Sequence, residues 1–343
     1  MGIITLRRRT DGVALVTVLI MVFIIMAIIS NITIQNYRTI RRLTNQTVQD
    51  QAVAILHGTM DFARAGLATS GATSKIDALT DIWAQPIPQT EMMNDIFISG
   101  YLLDEQGKFN INDLVAQGMI NQNVLKQFTA LLNYLNIPAS MANSIAYYMA
   151  APQNQESIMT QYTSGNPAYR PAGKPLVDLS ELLLVKGMQP TWVFKLNQYV
   201  TVIPQEIKPD PNNKQDKDMP PPATPTDSGS VKVNINTASP EVIAAKSGMP
   251  LAVAQRIVTI RYTTPFKSVG EIQDFLSKNG ITANSGSSGE GQSFNPDTLA
   301  VESRYFTLHA LVTHGDYQFK WIAMLLRQSR NGQWPTVVWQ HPE

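Results

Sequence analysis

The stretch from Val13 to Ile29 carries no charge and a single hydroxyl, that of Thr17, and it constrains the chain more than any other feature. At 1.5 Å per residue, a helix over this stretch spans most of a bilayer core of about 30 Å. A short basic segment, Leu6-Arg7-Arg8-Arg9-Thr10-Asp11-Gly12, stands before it. Clustered arginines tend to remain on the cytoplasmic side, so the rest of the chain is expected across the membrane. A secretory signal would end in a small-residue cleavage site after the apolar run. Here Ser30-Asn31-Ile32-Thr33-Ile34 leads straight into more helix-compatible sequence, so the run reads as a retained, single-pass anchor. Arg38, Arg41 and Arg42 lie just beyond the span; they weaken the orientation rule but can meet lipid headgroups.

Composition narrows the function classes. A chain of 343 residues suggests two domains. A net charge of +1 gives no whole-chain attraction to nucleic acid. The absence of cysteine excludes disulfides, thiolate metal sites and a cysteine nucleophile. His57, His309, His314 and His341 are too scattered for a zinc motif, and the His309–His314 spacing suits neither a strand face nor a helix face. There is no activated-serine signature, phosphate loop or metal-binding histidine pair, so the chain reads as a non-enzyme.

From Val13 to about Leu67 there is no proline, and Val48, Ala52, Ile55, Met60 and Ala63 allow one buried helix face. A single long helix is expected, ending in the Gly/Ser/Thr-rich break from Gly66 to Ser74. Ile96–Leu103 is strand-like, Asp104–Gly107 a turn, and Lys108–Asn112 a return strand. Helices are expected at Asp113–Gln117, Asn121–Leu135, Pro138–Met149, Leu179–Leu184, Pro240–Ser247, Pro250–Arg261 and Val269–Leu276. Strands are expected at Tyr199–Ile203 and Val231–Asn236, around a Pro/Asp/Lys-rich linker from Pro204 to Ser230. Arg304–Thr313 and Tyr317–Arg327 form a hairpin across His314-Gly315-Asp316, and Val337-Val338-Trp339 can add a short strand.

Gly12 directly before Val13-Ala14-Leu15-Val16 resembles a class III (prepilin) signal. That resemblance implies cleavage by prepilin peptidase between Gly12 and Val13. Pilins commonly carry glutamate as the fifth mature residue, where this chain has Thr17. A glutamate in lipid is expensive without a positive partner, in that family the N-terminal amine of a neighbouring subunit. Its absence is similar to the K-type minor pseudopilin of type II secretion. Four further segments resemble the same family: Phe109-Asn110-Ile111-Asn112-Asp113-Leu114, Tyr169–Leu182 (YRPAGKPLVDLSEL), Val233–Ile243 (VNINTASPEVI) and Ser303-Arg304-Tyr305-Phe306.

The resemblance implies an α+β fold: a pilin-like long N-terminal helix on an antiparallel sheet, with a large mainly helical domain inserted between strands. The expected divisions are a leader over 1–12, a transmembrane part over 13–34, the pilin-like helix and first strands over 35–112, the insertion over 113–300, and the completing hairpin over 301–343. It implies a bacterial inner-membrane protein with a periplasmic C-terminal domain, placed at the tip of the pseudopilus and starting its assembly for export of folded proteins. Its expected partners are I-type and J-type minor pseudopilins, the major pseudopilin and prepilin peptidase, with Leu15, Val18, Leu19 and Val22 packing on partner helices. No cofactor is certain. Family members have been associated with calcium, for which Asp210, Asp216, Asp218 and Asp227, or Glu290, Asp297 and Glu302, are candidates, against the plainer reading of solvated loop charges.

Local chemistry explains the motifs without catalysis. Asp178 or Ser180 can cap a helix that carries Glu181, and Thr237 or Ser239 can cap the one opened by Pro240. Asn234 and Asn236 can bond neighbouring backbone. Two rivals remain. One is a type IV minor pilin. The other is a DNA-binding helix-hairpin-helix over Ile235–Phe266, using Lys246, Arg256, Arg261 and Lys267 on phosphate. Its turn, Gly248-Met249-Pro250, has lost a donor to proline, so nucleic acid is disfavoured as a partner.

Overall fold

The computed structural model describes residues 11–93, 95–150, 156–165, 167–204, 230–278, 280, 282–283 and 293–343. The leader before Asp11, the linker over 205–229 and the stretch over 284–292 lie outside them. Helix α1 (Asp11–Thr73) is 63 residues long, about 95 Å at 1.5 Å per residue. Its buried positions Ala52, Leu56, Thr59, Met60, Ala63 and Leu67 recur at helical spacing and face a sheet. Of the expected face, Ala52, Met60 and Ala63 are buried, while Val48 and Ile55 lie at its margin.

The sheet is antiparallel throughout, ordered β1-β2-β11-β12-β13. It comprises β1 (Ile87–Met93), β2 (Ile96–Asp104), β11 (Tyr305–His314), β12 (Tyr317–Leu326) and β13 (Thr336–Pro342). Alternation along β11 sends Phe306, Leu308, Ala310 and Val312 to α1, where they meet Leu56, Met60, Leu67 and Trp83. Between β2 and β11 runs the insertion. It holds paired two-residue strands β3 (Phe109–Asn110) with β6 (Val200–Thr201), β4 (Val115–Ala116) with β5 (Met119–Ile120), β7 (Val233–Asn234) with β10 (Leu299–Ala300), and β8 (Thr282–Ala283) with β9 (Ser293–Phe294). Around them pack α2 (Gln122–Tyr134), α3 (Ser140–Met149), α4 (Glu156–Thr163), α5 (Pro190–Leu196), α6 (Pro240–Ser247), α7 (Leu251–Arg261) and α8 (Val269–Lys278). One apolar core joins them, including Phe109, Phe128, Leu132, Ile145, Ile235 and Ile257.

The insertion leaves and re-enters at one end of the sheet, because Asp104 and Phe306 are register partners. That end is the one far from the apolar half of α1. At the opposite end the β11–β12 turn reaches α1 low down, where the Tyr317 hydroxyl donates to Asn45 Oδ1 at 3.1 Å.

Three local expectations are corrected. The Gly/Ser/Thr-rich stretch does not break α1, which continues to Thr73. Gly71 admits the Arg327 side chain, whose Cδ would lie 3.1 Å from an added Cβ, and the Thr69 and Thr73 hydroxyls donate back to helix carbonyls. Lys108–Asn112 does not return beside β2, whose two sides are already taken by β1 and β11. Instead Phe109-Asn110 pairs in parallel with β6, and Phe109 and Ile111 join the inserted core, earlier than the expected boundary at 113. Over Asp113–Gln117 there is no helix: a 3-10 turn over Ile111–Leu114 passes directly into β4.

Candidate functional site

Two regions stand out: the exposed half of α1 and a buried polar seam at the far end of the sheet. Along α1, every residue from Val13 to Thr47 is exposed. Gly12 and Val13 lie in its first turn. The helix qualifies by length and composition as a membrane span, and its most apolar part is not buried against the rest of the chain. Within the apolar run the Thr17 hydroxyl donates to Ala14 O at 2.9 Å, and just beyond it that of Thr33 donates to Ile29 O at 2.8 Å. Leu15, Val18, Leu19 and Val22 follow i, i+3, i+4, i+7 spacing and form one exposed stripe. Ten turns further on, the same phase falls on exposed Gln51, Ala54 and Gly58 and on Ile55 at the margin of the sheet-facing side; an added Cβ at Gly58 would meet nothing within 4 Å.

The seam joins the helix end, the sheet and the insertion. Asp77, wholly buried, accepts from Arg327 Nη2, from Arg330 Nη2 and from Ser303 N at 2.8 Å. Arg327 also donates to Ser303 O at 2.6 Å and lies over the Phe306 ring. Arg330 donates from Nε to Glu302 at 2.9 Å. Beside this pair, Asp104 accepts from Ser303 Oγ and Thr237 Oγ1 at 2.6 Å, Gln106 N at 2.9 Å and Asn234 Nδ2 at 3.0 Å. Burial pushes its carboxyl up to about 6, with Asp77 adding to the rise and the Ser303 and Thr237 hydroxyls opposing it.

The asparagines of the motifs act as clamps. Asn112 donates to Leu176 O and Ile203 O and accepts from Leu176 N at 2.8 Å, tying the first motif to the second. Asn236 exchanges two 2.9 Å bonds with the backbone of Phe266, and Asn234 also donates to Asp77 O. Asp178 and Glu181 form a capping box, and Ser239 caps α6. Of the basic residues expected to contact DNA, Lys246 is buried against Asp113 at 3.2 Å, and Arg261 is buried against Ile235 O and Thr237 O. Only Arg256 and Lys267 remain exposed on that unit.

His309 and His314 point to opposite faces of β11, as odd spacing on a strand requires. His309 stacks on Tyr101, with ring centroids 4.8 Å apart, and burial lowers its pKa. Asp210, Asp216, Asp218, Asp227 and Glu290 lie outside the described residues. Among those described, no three His, Asp or Glu side chains gather as metal ligands, and Glu302 is engaged by Arg330. Sequence reasoning passed over Asp77, Asp104, Arg327 and Arg330. The available signal was a charge closing an apolar strand, Asp104 on β2 and Arg327 just after β12.

Residues 107–205 and 233–301 each match type II secretion system (T2SS), protein K. Both blocks fall inside the insertion between β2 and β11. The chain belongs to the type II secretion system protein K family. It is 27% identical over 336 residues to the type II secretion system protein K of Pseudomonas aeruginosa, covering 94% of this chain and 90% of that one. Its fold is similar to a chain of the GspK-GspI-GspJ complex from the enterotoxigenic Escherichia coli type 2 secretion system, with a TM-score of 0.62 at 19% identity, covering 88% and 99%. As a protein K family member, the chain is a secretion-system minor pseudopilin, and its N-terminal helix is consistent with a single-pass anchor.

Proposed function

We propose that this chain caps the tip of the pseudopilus and starts its assembly with I-type and J-type minor pseudopilins. The observation that carries the reading is the placement of the insertion at the end of the sheet farthest from the membrane helix. A body of that bulk beyond the pilin-like sheet obstructs addition of another subunit above it, while the exposed α1 below remains free to pack. The stripe Leu15, Val18, Leu19 and Val22 shares its phase with exposed Gln51, Ala54 and Gly58 higher on α1, a side open to packing on partner helices. Thr17, with its hydroxyl spent inside the helix, offers no carboxylate to the amine of a subunit above. The relative whose fold is similar was crystallised with I and J subunits. In this role the chain lies across the bacterial inner membrane with its C-terminal body in the periplasm. The major pseudopilin joins from beneath, and the growing pseudopilus supports export of folded proteins.

Intact mass and N-terminal sequencing after coexpression with prepilin peptidase test the first step. A peptidase-dependent start at Val13 is expected, with I-type and J-type subunits co-purifying with the cut chain. An uncut chain, or a cut beyond the apolar helix, overturns the pseudopilin reading. Thr17→Glu is expected to leave tip assembly intact or impaired; conversion into a subunit that polymerises along the filament would defeat the capping argument. The DNA-binding rival loses its basis with the burial of Lys246 and Arg261.

A further inference from the structure

The membrane-distal side of the apolar span carries a cluster of charge that the assembly role does not use. Arg38, Arg41 and Arg42 follow i, i+3, i+4 spacing on α1, so they share one face. All three are exposed, and among the described residues none makes an ion pair; Arg41 lies over the Tyr37 ring at 5.0 Å. Between Asp11 and Asp50 the chain contains no Asp or Glu that could neutralise them.

Their height and direction are both defined. The helix is apolar or internally satisfied through Ile34, and the 22 residues from Val13 rise about 33 Å, close to a bilayer core. Arg38 then stands about 6 Å, and Arg42 about 12 Å, beyond that edge. Polar headgroups occupy roughly the first 5–8 Å on each side of the core. Tyr37 has the amphipathic ring typical of that boundary. Leu56, Thr59 and Met60 lie five turns above Arg38, Arg41 and Arg42 respectively, and all three are buried against the sheet. The arginines therefore point along the side of α1 on which the body hangs, and the body begins at Asn45, where Tyr317 reaches the helix. They occupy the gap between membrane surface and body, opposite the stripe offered to partner helices.

We infer that Arg38, Arg41 and Arg42 bind the phosphates of anionic phospholipid in the periplasmic leaflet and fix the height and tilt of the body above the membrane. This rests on the membrane-anchor reading above. An arginine fork takes phosphate oxygens bidentately, and Arg41 stays free to do so while stacked on Tyr37.

The test is native mass spectrometry of the detergent-solubilised full chain, titrated with phosphatidylglycerol or phosphatidylcholine of matched acyl chains. Each basic residue near a charged surface contributes roughly five-fold in affinity, so three should give a preference on the order of 100-fold for phosphatidylglycerol. With Arg7→Gln/Arg8→Gln/Arg9→Gln as the common background, so that the basic segment before the span adds nothing, Arg38→Gln/Arg41→Gln/Arg42→Gln should abolish it. Equal binding of the two lipids by that background, or an unchanged preference in the Arg38/Arg41/Arg42 variant, overturns the assignment. Should that variant keep its lipid preference but stop co-purifying with neighbouring subunits, the arginines belong to a protein interface instead. Retention of wild type and variant in carbonate-washed membranes checks the anchor separately; loss of the wild type there would defeat the anchor reading, and this inference with it.

Discussion

Replacing Asp77 by alanine leaves Arg327, whose side chain is 1% exposed, without its paired carboxylate. Asp77 is itself 0% exposed, so neither partner of this pair has water to fall back on. Two charges taken out of water are held there only by each other and by their remaining hydrogen bonds. Arg327 would keep Ser303 O, Leu67 O and the Phe306 ring, none of which carries a full charge. Arg330 loses less, because it is 21% exposed and keeps Glu302. Ser303 N loses its acceptor as well. Removing one member of a buried pair costs about 3–5 kcal/mol, which is the expected loss for Asp77→Ala. With a urea slope of roughly 2–3 kcal/mol per molar, the midpoint should fall by about 1–2 M. The assay is urea unfolding of the full chain in detergent, followed by the fluorescence of its tryptophans, of which Trp83 lies 5.0 Å from Phe306 beside the seam. Asp77→Ala combined with Arg327→Met should be less damaging than Asp77→Ala alone, because the stranded charge goes too. A loss below about 1 kcal/mol in the single variant, or no recovery in the double, would refute the view that this pair holds the seam.

Two further outcomes are specific. Asp104 titrates at about 6 in the folded chain against an ordinary 3.8, so the folded state holds the extra proton between these values and stability falls as pH rises through them. The contribution is on the order of 3 kcal/mol across that window. Asp104→Asn should remove this part of the pH dependence; urea midpoints that slope as steeply with pH in the variant would contradict it. At Gly100, an added Cβ would come 2.7 Å from His309 O of the adjoining strand. Gly100→Ala should therefore force β2 and β11 apart and cost roughly 1–3 kcal/mol, read as a lower melting temperature; an unchanged melt would count against the register described.

Much of this architecture is already legible along the chain. The uncharged run after the basic segment reads as an anchor from length and composition, and none of it is buried against the rest of the chain. The paired runs ending in Tyr305–His314 and Tyr317–Leu326 announce a hairpin through their alternation and their turn. The caps at Asp178 and Ser239 are local chemistry and are placed where the residue types require. Strand β1 is harder to read, since Ile87-Pro88-Gln89-Thr90 alternates weakly and is a strand only because the edge of β2 templates it. Helix α5, with Pro190 at its start, and α4 are short and draw their order from packing rather than from pattern.

What the sequence by itself determined is therefore whatever depends on neighbours a few residues apart: the apolar N-terminal helix, the threonine rather than an acid at Thr17, the hairpin, the caps and the family signatures. What only the tertiary structure decided is everything set by contacts between distant segments. Asn112 joins Leu176 and Ile203, and Asp77 joins Arg327 across 250 positions of chain. Lys246 and Arg261 look like exposed phosphate ligands when read in line, and become buried because Asp113 and two carbonyls arrive from elsewhere to satisfy them. The physical reason is that burial of a charge is settled by its partner's position in space, which no local pattern encodes.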